Sequence, residues 1–128
     1  MEICFESDTV ALKAIWLPGN SSLSVIEYIA CWTTILNNVE ILKPSYLLID
    51  ASDFEYRILP DVYPIFNKIS NILKPENITI VSSNYLLGRK TIENLLNSCP
   101  HKGYNIFLHR NNGHIWFKSN SSNFSNHL

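Results

Sequence analysis

Tyr46-Leu47-Leu48-Ile49-Asp50-Ala51-Ser52-Asp53-Phe54 reads as a buried strand that stops on an acidic, polar loop. Apolar residues at nearly every strand position suit a central strand covered on both faces. The segment from Glu55 to Pro64 then leads into an amphipathic helix. Its apolar stripe is Val62, Ile65, Phe66, Ile69, Ile72 and Leu73. Strand, acidic loop and helix in that order mark the carboxyl end of a strand in an open α/β sheet, where ligands and partners gather.

Upstream, Glu2 to Glu6 and Thr9 to Leu17 read as two strands joined by a tight turn at Ser7-Asp8, an antiparallel hairpin. Pro18-Gly19-Asn20 ends the second strand. Ser24 and Glu27 have the spacing of a capping box, in which each satisfies a backbone donor of the other's residue. Val25, Ile26, Ile29, Ala30, Trp32, Thr33, Leu36 and Val39 follow with helical period, and Lys43-Pro44 closes that helix.

Downstream, Asn77 to Ser82 is a fourth strand. Ile92, Leu95, Leu96 and Cys99 mark a third helix, and Tyr104 to His109 a fifth strand. Asn112 caps a short last helix carrying Ile115, Trp116 and Phe117. The order β-β-α-β-α-β-α-β-α predicts an α/β fold. Its sheet is mostly parallel, with right-handed crossovers, four to five strands and an antiparallel edge strand at the N-terminus. Four strand ends then deliver 18–22, 50–53, 82–85 and 109–112 to one rim. Residues 1–118 form a single domain, and the polar stretch 119–128 is expected to be a frayed tail.

The net charge of -1, without a long basic run, disfavours electrostatic binding to nucleic acid. The first residues, Met1 to Glu6, lack the basic and apolar regions of a signal peptide. No apolar run approaches the roughly 20 residues of a membrane span. A cytoplasmic protein without integral membrane association is expected. Cys4, Cys31 and Cys99 are odd in number and far apart, so they read as buried free thiols.

This element order, with these residues, resembles the STAS-like family of small α/β domains related to bacterial anti-anti-sigma factors. The nearest likeness is to its SpoIIAA-like branch, which is similar in outline to CRAL-TRIO lipid-binding domains. Three stretches carry it: Leu47 to Asp50 with Phe54, Ile58 and Pro60; Ile78 to Val81 with Thr91 to Leu95; and Ile106-Phe107 with Ile115-Trp116-Phe117. The resemblance implies binding of a protein or small ligand rather than catalysis. It also implies a phosphoserine at Ser52, within Asp50-Ala51-Ser52-Asp53. Here Asp53 replaces the family's glycine, and Phe54 to Leu59 separate Ser52 from the helix start. A phosphate on Ser52 would miss the helix dipole and sit between two carboxylates.

The leading reading is therefore a non-enzymatic regulatory or binding module. It recognises a protein partner or an apolar small molecule at the rim, using Asp50, Ser52, Asp53, Phe54, Tyr56, Arg57, Tyr63 and Tyr85. Phe54 and Tyr56 are expected to be exposed, because they stand among charged loop residues. The alternatives are a regulator switched by phosphorylation of Ser52 and a hydrolase using Asp50 or Asp53. Asp50, Asp53 and Glu55 equally fit turn chemistry. Ser82-Ser83 lacks a nucleophile elbow, and Gly88-Arg89-Lys90 lacks the phosphate-loop glycine. His109 and His114 match no zinc spacing and read as solvated loop residues. No cofactor or metal is expected. A homodimer through the first strand's edge or an exposed helix face is also compatible with the sequence.

Overall fold

The computed structural model describes residues 1–55 and 60–126 of the chain, with side chains through Ser121. The strands are β1 (Glu2–Glu6), β2 (Ala11–Ile15), β3 (Tyr46–Asp50), β4 (Ile78–Val81) and β5 (Asn105–Phe107). The helices are α1 (Val25–Leu42), α2 (Tyr63–Leu73), α3 (Leu86–Ser98) and α4 (Arg110–Asn126). The sheet order is β1-β2-β3-β4-β5. β1 and β2 pair antiparallel, and all later pairs are parallel. Among the described residues no helix is long and apolar enough to cross a membrane.

A sheet built in sequence order, with crossovers of one hand, places its connecting helices on one face. The main core agrees. Leu12 and Ala14 of β2, Leu47 and Ile49 of β3, and Ile78 and Ile80 of β4 pack with Trp32, Ile35 and Val39 of α1, Phe66 and Ile69 of α2, and Ile92 and Leu95 of α3. The alternate residues Ala11, Leu48 and Val81 face the other way and meet Phe117 of α4. Strand β3 is thus covered on both sides, as its unbroken apolar run predicts.

Capping decides where α1 begins. Ser24 Oγ accepts from Glu27 N–H, and Glu27 Oε1 accepts from Ser24 N–H. The hydroxyl of Ser24 holds the Glu27 carboxyl below its usual range, with the Ser24 amide adding to the effect. Pro64 is tolerated because it sits in the first turn of α2, where no backbone donor is missed.

Three expectations change. The hairpin turn spans residues 7–10, not two residues, because Glu6 pairs with Ala11 and Val10 takes a left-handed φ of 53°. Helix α4 begins at Arg110 and continues through Asn126, so stretch 119–126 is helical where its composition reads as frayed. Local anchoring explains part of this: Asn120 Nδ2 donates to Trp116 O, and buried Ser121 donates to Phe117 O. Of the three thiols only Cys99 is buried; Cys4 is exposed on the edge strand and Cys31 half-buried.

Helix α4 lies close to the sheet at Gly113. A Cβ there would stand 2.5 Å from Val81 Cγ2. Val81 is β-branched on an inner strand and cannot swing aside. Gly113→Ala should therefore destabilise the protein by about 1–3 kcal/mol through overpacking, despite the roughly 1 kcal/mol gain in helix propensity. Urea unfolding should show a lower midpoint at unchanged slope. An equal or higher midpoint would mean that α4 is not seated so closely.

Candidate functional site

Asp50 is the last residue of β3 and is 0% exposed. Strand alternation turns it, with Tyr46 and Leu48, toward the α4 face. A buried carboxylate is tolerated only when its acceptors are filled, and here they are. Oδ1 accepts from Ser52 N–H at 3.0 Å and from Ser52 Oγ at 2.6 Å. Oδ2 accepts from Arg110 Nε at 2.9 Å and from His114 Nε2 at 2.7 Å. An ionised carboxylate only accepts, so His114 carries a proton on Nε2. Arg110 also reaches Asp53, with Nη2 2.8 Å from Oδ2.

These contacts set the acidity of the group. Burial by itself raises the Asp50 pKa. The hydrogen bonds from the Ser52 hydroxyl, His114 and the Ser52 amide, with the nearby charge of Arg110, outweigh burial and hold it below the usual aspartate range. Arg110 is held still more firmly protonated, first by its bond to Asp53.

The remaining rim loops are fastened to the same segment. Asn20 is buried and spans two loops: Nδ2 donates to Leu17 O at 2.8 Å and to Asp53 O at 2.7 Å, while Oδ1 accepts from Glu55 N–H at 2.9 Å. Ser83 Oγ donates to Phe54 O at 2.6 Å, and Asn84 N–H donates to Ser52 O at 2.9 Å. Gly88 passes so near this junction that a Cβ would collide with Phe54 O and Ser83 Oγ. All four loops expected at the rim are therefore joined there.

The expected site residues separate into groups. Asp50, Ser52 and Asp53 belong to one network with Arg110 and His114. Phe54 is not an exposed contact, and that expectation is corrected. It is 0% exposed, with its ring edge-on to Trp16 at 5.0 Å and 6.0 Å from Tyr28. Burying this ring beneath a polar loop removes more apolar surface from water than any exposed pose would. Tyr63 is half-buried against the main core. Tyr85 is 45% exposed, and the neighbouring Glu55 carboxylate raises its pKa, by charge first and then by hydrogen bonding. Tyr56 and Arg57 lie outside the described residues.

His114 is not a solvated loop residue but a partner of Asp50. Arg110, His114 and Asn20 were legible in part. Arg110 and His114 stand four apart, which places them on one helix face once the helix starts at Arg110 rather than Asn112.

Chemically, the arrangement surrounds the Asp50 carboxylate with donors. Its roughly four lone-pair positions are all occupied by donors of the chain. The Ser52 hydroxyl points at the carboxylate, not at an imidazole, so Ser52, Asp50 and His114 do not form the hydroxyl–imidazole pair that activates a nucleophile. Replacing Asp50 by Asn keeps the shape and removes the charge, and should cost about 1.5–3 kcal/mol at neutral pH. The folded-state pKa lies below the unfolded value of about 3.9. The stabilisation is therefore complete above that value and lost as pH falls through the folded one. The stability gap between wild type and Asp50→Asn, measured by chemical denaturation, should close over that acid range. A gap independent of pH would exclude the ionised network as its source.

Compared with protein-family models, curated proteins and solved structures, the chain gives no match.

Proposed function

We propose that this chain is a non-enzymatic interaction module that recognises a protein partner at the carboxyl-end rim of its sheet. The observation that carries the reading is the saturation of Asp50. The carboxylate at the carboxyl end of the central strand β3 is filled by Ser52, Arg110 and His114. It offers no free lone pair for a proton, a metal or a substrate. The sequence resemblance to STAS-like binding domains supports the same reading.

The surface beside it is apolar with a polar collar. Tyr85, Leu86 and Leu87 are 45%, 71% and 55% exposed at the start of α3. Contiguous exposed apolar side chains mark interaction surfaces more often than solitary ones do. Glu55 and Asp53 border this patch through Tyr85. The partner it suits presents apolar side chains with a hydrogen-bond donor for Glu55. Control by phosphorylation is disfavoured, because Ser52 is 2% exposed and its hydroxyl is engaged by Asp50.

The double variant Leu86→Asp/Leu87→Asp tests the proposal. Both side chains are exposed, so stability should change by no more than about 0.5 kcal/mol per site. In affinity capture from cells with quantitative mass spectrometry, a partner should be enriched by wild type and lost with the variant. With the purified partner, calorimetry should give at least a tenfold loss, about 1.4 kcal/mol. Equal capture by both proteins, or native mass spectrometry showing only a small molecule, would reject a protein-binding rim.

A further inference from the structure

A second surface, away from the rim patch, lies between helix α3 and the edge strand β5. There the described residues line an open groove of about 450 Å³. Glu93 and Leu96 form the helix side, Tyr104 and Ile106 the strand side, and Lys102 closes one end. The volume falls within the range of natural binding pockets.

The strand side is an unpaired sheet edge. β5 is last in the sheet order. The Phe107 carbonyl accepts from Ser82 N–H at 2.8 Å, so it points toward β4. Backbone groups alternate along a strand. Ile106 therefore turns its N–H and C=O outward, where no described strand meets them. Its side chain, 49% exposed, is on the α3 face, because Ile106 pairs in register with the core residue Ile80.

The floor is rigid. The Tyr104 hydroxyl is held between Ser70 Oγ at 2.7 Å and Cys99 Sγ at 3.0 Å. Its ring stacks on Phe66 at 5.6 Å. Burial, reinforced by Cys99, raises the phenol pKa and keeps it neutral. An apolar side chain entering between Leu96, Tyr104 and Ile106 would meet a surface already organised to receive it.

The groove also has a charge direction. Helix α3 carries the chain back from the rim to the amino-terminal end of β5. Glu93 therefore lies nearer the rim, and Lys102 stands at the start of β5. A strand added antiparallel to β5 would finish over Lys102. We propose that this groove binds the carboxyl-terminal segment of a partner protein by strand addition. Two backbone hydrogen bonds form at Ile106, and an apolar side chain near the peptide's end fills the groove. The terminal carboxylate lies beside Lys102, and a basic side chain upstream faces Glu93. Main-chain pairing supplies affinity in this mode, and the pocket supplies specificity.

The test is selection of a random peptide library displayed with free carboxyl termini on the full chain. Selected peptides are then synthesised as the acid and as the amide, and titrated by fluorescence anisotropy. An apolar residue should dominate one of the last positions. Amidation, Lys102→Ala and Ile106→Pro should each weaken binding at least tenfold. Proline is tolerated on an edge strand where the lost N–H faces outward, and circular dichroism would confirm the fold of each variant. Leu86→Asp/Leu87→Asp should leave peptide binding unchanged, which separates this site from the rim. A selection without a carboxyl-terminal consensus overturns the proposal, as does binding unaffected by amidation or by both Lys102→Ala and Ile106→Pro.

Discussion

The burial of Asp50 governs the upper half of the molecule. A carboxylate at the end of a central strand, with no exposure to water, must be given donors or lose its charge. Two of its donors come from the next loop and two from α4, sixty and sixty-four residues away. The ion therefore fixes where the last helix begins and how the Ser52–Asp53 turn is folded. Breaking such a group by removing one partner costs more than the pair contributes when intact. Neither Arg110 nor His114 can be removed without leaving the Asp50 carboxylate short of a donor.

Helix α4 shows what this anchoring achieves. It is polar along most of its length, and Phe117 is the main buried apolar side chain among its described residues. Its composition alone would not hold it on a sheet. It stays because Gly113 permits close approach, Phe117 fills the space over Ala11, Leu48 and Val81, and Arg110 and His114 reach Asp50. On the opposite face the balance is reversed. Three amphipathic helices bury a continuous apolar core around Trp16 and Trp32, and hydrogen bonding serves mainly to tie loops together.

The division between structural and interactive groups follows from this. The carboxylate, the serine and Phe54, all candidates for function when read along the chain, are consumed by the fold. Among the apolar side chains left to solvent are Leu86 and Leu87 at the start of α3 and Ile106 on β5, with Glu55, Glu93 and Lys102 nearby.

The sequence by itself determined the α/β class, the opening hairpin, the capping box of α1, the central position of β3 and the gathering of four loops at one rim. Those features rest on period, capping and turn chemistry, which act within a few residues. It placed Asp50, Ser52 and Asp53 together for the same reason. Only the tertiary structure decided that Phe54 turns inward, that the helix starts at Arg110, and that His114 meets Asp50. Each depends on residues far apart in the chain: Phe54 on the space between Trp16 and Tyr28, and the placement of Arg110 and His114 on a buried charge that local pattern cannot reveal. Burial of a charge is a property of the packed sheet, and its partners are chosen by proximity in space rather than by spacing along the chain.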